Sequence, residues 1–229
     1  MNQKAGSIGQ GLTTPRAAAL AGIIFSVLMM TSMLLVRTSI TPDPLAAASE
    51  AIKHARRLSF ALNLLPFAGI SFLWFVGVLR DRIGELEDRF FATVFLGSAL
   101  LFLAMIFISA SVVGGILRIL ANGSEGLIGP GGYALARIQA FQAMHTYAIK
   151  MAGVFMISTS TISYRTGIIP RWMAILGLVL ALTLLLSVGF IESILLVFPL
   201  WVLLISVHIL IDNFRGASRI APAPSSPNS

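Results

Sequence analysis

The chain has 229 residues, 57% of them apolar and 11% charged, with a formal net charge of +7 and no cysteine. Soluble domains carry roughly 25% charged residues, so this composition excludes a water-soluble globule, a disordered chain and a disulfide scaffold. The missing cysteine removes thiol nucleophiles, iron–sulfur clusters and Cys-based zinc sites. The basic surplus sits at the ends of apolar runs without interleaved aromatics, which points to lipid headgroups rather than nucleic acid.

A helix needs about 20 apolar residues to cross a hydrocarbon core of roughly 30 Å. Six stretches qualify, at about 17–36, 59–79, 90–117, 141–163, 172–190 and 193–211. Continuous runs of this length cannot be barrel strands, and a lone strand leaves its backbone unsatisfied in lipid. The expected fold class is therefore all-α, a polytopic transmembrane bundle of six spans over 17–212. A flexible segment, 1–16, precedes it and a disordered Pro/Ala/Ser tail, 213–229, comes after it. The first apolar run is longer than a signal-peptide core and lacks a cleavage site directly after it, so it is expected to stay as an anchor.

The loops set the threading. Thr41-Pro42-Asp43-Pro44 reads as a helix start, with Asp43 as cap and Pro44 at the first helical position. It leads into an Ala-rich basic stretch, 45–57, expected to extend the second span along the headgroups. The second loop, 80–89, is dense in both signs and reads as a charged hairpin. The third, 121–132, is rich in Gly and reads as a flexible outer loop; no Gly-Lys-Ser/Thr makes it a phosphate loop. Nine Lys and Arg fall on the side of the N-terminus, second loop, fourth loop and tail, against six on the other side. This bias predicts both termini in the cytoplasm.

Ionisable groups inside spans are functional candidates. Lys150 lies on the fourth span. At 100° per residue, Gln139, Gln142, Thr146, Lys150, Ser160 and Thr161 fall on one side of that helix, with Gly153 and Tyr164. This polar intramembrane face is either a packing surface bonded to neighbouring spans or the wall of a solute path. Glu192 opens the sixth span at a depth that meets Lys150, so the two are expected to pair. His208 and Asp212 are spaced i,i+4 and form a candidate interfacial pair. His145 and His208 lie at opposite depths, which disfavours paired haem ligands. No nucleophile elbow, zinc-helix motif or carboxylate pair is present, so no catalytic residue, cofactor or metal is expected. Asn63, Pro66 and Pro199 mark expected kinks. Ala18, Gly22 and Ser26, Ser111 and Gly115, and Gly177 and Ala181 are spaced by four as helix-contact faces.

The turn Tyr164-Arg165-Thr166-Gly167-Ile168-Ile169-Pro170-Arg171-Trp172 ends one span at Gly167 and starts the next at Pro170. With this turn, the Asp43-Pro44 loop and the six spans, the chain resembles a group of uncharacterised six-span bacterial membrane proteins, catalogued as a domain of unknown function. The resemblance implies a bacterial inner-membrane protein in contact with lipid. It supplies no catalytic residues. Two function classes stay open: a small transport or ligand-binding bundle, and a non-catalytic structural or regulatory subunit docking a partner through its loops.

Overall fold

The computed structural model describes residues 14–39, 53–83, 89–122, 129–167, 169–187 and 192–219. Among them there is no strand. The helices are α1 (Thr14–Ser39), α2 (Ala55–Ile83), α3 (Arg89–Ala121), α4 (Gly129–Gln142), α5 (Ile149–Thr166), α6 (Arg171–Leu186) and α7 (Val197–Arg219). A π-helical segment, Ala143–Ala148, joins α4 to α5 without a break, and a 3₁₀ turn, Glu192–Leu196, leads into α7. The Asp43-Pro44 start, the centres of the second and third loops at 84–88 and 123–128, and the residues before 14 and after 219 lie outside the described residues.

Four helices are long and apolar enough to cross a membrane: α1, α2, α3, and α7 with the turn before it. Each carries large apolar side chains open to the surroundings, such as Leu20 on α1, Trp74 on α2, Leu101 on α3 and Leu200 on α7. Water would penalise such a surface and lipid would not. α6 is apolar but has only 16 residues. α5 is less apolar for a different reason. Its Ser158, Thr159, Ser160 and Ser163 are buried inside the bundle rather than turned to the outside.

Packing orders the helices as a ring. α1 lies between α2 and α7, α3 lies between α2 and α5, and α6 packs mainly on α5. Small residues permit the close crossings. A Cβ on Gly22 of α1 would overlap Ser206 Oγ of α7, and one on Gly69 of α2 would overlap the Phe107 ring of α3. The Ala18-Gly22-Ser26 and Gly177-Ala181 faces are both buried, as their spacing predicts. Ser111 and Gly115 instead face outward, and nothing stands within 4 Å of a Cβ on Gly115.

The core is aromatic. Phe25 of α1, Phe72 of α2, Phe95 and Phe102 of α3, Phe155 of α5 and Phe198 of α7 are all at most 3% exposed. Their ring centroids approach to 4.7 Å for Phe25–Phe72, 4.8 Å for Phe102–Phe198 and 4.9 Å for Phe95–Phe155. Five helices thus meet in one cluster of stacked, tilted and edge-on rings, each pair adding about 0.5–1.5 kcal/mol beyond its burial. Pro66 lies inside α2, which runs on through it. Pro199 sits in the first turn of α7, where the helix has no use for its amide.

Several boundaries differ from the sequence expectation, three of them informative. The fourth helical column starts at Gly129, not near 141. Gly129 takes a positive φ of 59°, and Pro130 comes next with its φ already fixed for a helix. Glycine-rich composition suggested a loop where a helix begins. α1 starts at Thr14, inside the expected flexible segment, and α7 continues to Arg219, past the expected end at 211.

Candidate binding site

The α5–α6 hairpin forms as its residues dictate. Gly167 adopts the left-handed conformation at φ 69°, and its amide donates to Ser163 O at 3.0 Å. A side chain there would be strained. Pro170 then caps α6, accepting from the amide of Met173 at 3.0 Å.

The polar face expected at constant helical pitch does not survive as one face. The π-helical segment widens the turn at 143–148 and rotates α5 relative to α4 about their common axis. Gln139 and Gln142 are exposed, Thr146 and Thr161 half-buried, and Ser160 fully buried. Thr146 Oγ1 and Gln142 Oε1 are bonded at 3.0 Å across the wide turn. The buried hydroxyls of Ser158 and Thr159 return to backbone carbonyls one turn earlier on their own helix, Val154 O and Phe155 O.

Lys150 is half-buried at the start of α5. Its Nζ donates to Leu185 O at 2.6 Å and to Ser187 O at 3.2 Å. These are carbonyls at the C-terminal end of α6, where the helix dipole is negative and backbone acceptors lack intrahelical partners. Lys150 therefore acts as a side-chain cap on a neighbouring helix. Glu192 opens the 3₁₀ turn; its side chain, and with it the expected Lys150–Glu192 pair, lies outside the described residues. His208 is half-buried and Asp212 exposed on one side of α7.

A cavity furnished with polar groups lies elsewhere. At the predicted outer end, α1, α2, α3, α4, the π-helical segment and the 3₁₀ turn line a cavity of about 340 Å³. Ligand pockets start at roughly 300 Å³. Most of its wall is apolar, including Met33, Val113, Ile116, Met144 and Leu195. Its polar groups are Arg37, Arg137, Tyr133, His145 and Ser109. Among the described residues no carboxylate lines it. Ser109 Oγ donates to Ala140 O at 2.9 Å and locks α3 to α4 along the wall. The His145 ring stacks on Phe141 with centroids 3.9 Å apart and planes 11° from parallel. Tyr133, Arg137, Phe141 and His145 recur every four residues on the α4 column, so one stripe supplies four of the lining groups. That stripe is the signal available in the sequence.

The cavity does not run through the bundle. On α1, Phe25 of the aromatic cluster lies eight residues, about 12 Å, from the lining residue Met33. On α3, Phe102 lies seven residues from Ser109. Among the described residues no three His, Asp or Glu gather as a metal site. No family model, curated protein or solved structure matches the chain. The resemblance to six-span proteins of unknown function thus rests on the turn, the Asp43-Pro44 loop and the span pattern.

Proposed function

We propose that the protein is a six-span integral membrane protein of the bacterial inner membrane, with both termini cytoplasmic, that holds a small ligand near its outer face. The single observation carrying this reading is the cavity of about 340 Å³, apolar in its walls and furnished with Arg37, Arg137, Tyr133 and His145. The fifth and sixth crossings come from α6 and from the column of α4, the π-helical segment and α5. That column covers residues 129–166, about 55 Å at helical rise, and turns its serines and threonines inward. The basic residues at the two ends of the helices support the orientation.

The packed phenylalanines beneath the cavity favour holding over conduction. A solute leaving inward would have to part rings that five helices clamp together. The test is native mass spectrometry of the protein released from mild detergent. A retained adduct is expected on the parent. It should be absent from Ala140→Trp and Met144→Trp, which fill the cavity from successive turns of the α4 column, provided both melt like the parent. An adduct unchanged by both substitutions overturns the assignment of the site.

A further inference from the structure

We infer that the cavity takes a membrane-borne amphiphile with an anionic head, a carboxylate or a phosphate, whose apolar chain lies against the aliphatic wall. This rests on the ligand-binding reading above and names its ligand class. Arg37 comes from the end of α1 and Arg137 from α4, and both line the same cavity. Both guanidinium groups bring positive charge to one cavity, which favours an anionic occupant over a neutral one. The fork of an arginine matches carboxylate and phosphate oxygens two at a time. His145 and Tyr133 add further donors on the same stripe.

The rim says where the ligand comes from. Leu34 and Phe141 line the cavity and are also 48% and 45% exposed. Leu34 lies three residues from Arg37, about 4.5 Å along the helix. Apolar residues flank the opening just inside the level of the charges. That is the profile of a lipid whose head sits at the interface and whose chain reaches below it.

The experiment uses the full chain in phosphatidylcholine nanodiscs and radiolabelled hexadecanoate, with methyl hexadecanoate and lysophosphatidate as competitors. Hexadecanoate or lysophosphatidate is expected to compete at least about tenfold better than the neutral ester, the loss that goes with one charged hydrogen-bonded contact. Whichever acid competes better identifies the head. Arg37→Met and Arg137→Met should each weaken anion binding about tenfold, while Arg137→Lys keeps most of the preference. Equal competition by the ester, or indifference to both Met substitutions in variants that melt like the parent, overturns the inference. If the ester binds and Ala140→Trp expels it, the cavity reading stands and only the anionic head falls. If cavity filling changes the binding of no probe, both fall.

Discussion

Lys150→Met is the sharpest single test of how the bundle is held. The substitution keeps the length of the side chain and deletes the ammonium that donates to Leu185 O and Ser187 O. A hydrogen bond from a charged donor contributes about 1.5–3 kcal/mol. Ser187 is only half-buried, so water at the interface replaces part of its share. Methionine recovers about 1 kcal/mol by keeping its chain apolar. The net loss is about 1–3 kcal/mol, since hydrogen bonds within membranes fall at the low end of such ranges. For a chain of this size that lowers the melting temperature by about 3–10 °C. The assay is thermal unfolding in detergent monitored by intrinsic fluorescence, with Lys150→Arg beside it as the variant that retains donors. Because Lys150 does not line the cavity, ligand binding at low temperature should be unchanged. A Lys150→Met protein melting within about a degree of the parent would refute the cap. Loss of binding at full stability would instead place Lys150 on a ligand path.

The packing gives two further expected outcomes. A Cβ on Gly177 would overlap Ser160 Oγ and stand 2.7 Å from Trp201 Nε1. Gly177→Ala should therefore cost about 1–3 kcal/mol, read as a lowered melting temperature that Ser160→Ala partly restores. Phe72→Ala, which opens the centre of the ring cluster, should cost about 3–5 kcal/mol and leave the α4 stripe intact.

Some of this architecture is legible in the sequence and some is not, for physical reasons. α1, α2, α3 and α7 are visible because lipid demands uninterrupted apolar runs of a set length. The Gly167–Pro170 turn is visible because left-handed backbone and a fixed φ each call for one residue type. The helix at 129–142 hides behind its glycines, which read as a loop although Pro130 starts a helix. The π-helical segment at 143–148 has no composition of its own, and without it the polar positions from Gln139 to Thr161 are assigned to one face. Lys150 is recognisable as a costly charge, but its partners are backbone carbonyls, which every residue has. Arg37 and Arg137 read as topology signals, being exposed to the same rule as any loop cation. That they line one cavity depends on helices distant in sequence.

The brevity of α6 has a consequence for the surroundings. Its 16 residues rise about 24 Å, some 6 Å less than a typical hydrocarbon core. In the proposed orientation, neighbouring acyl chains must shorten or splay to meet its upper edge, and that adjustment grows harder as tails lengthen. In the proposed six-span arrangement the molecule carries a dimple into whatever leaflet hosts it. Its lifetime should shrink across a series of synthetic membranes of increasing thickness.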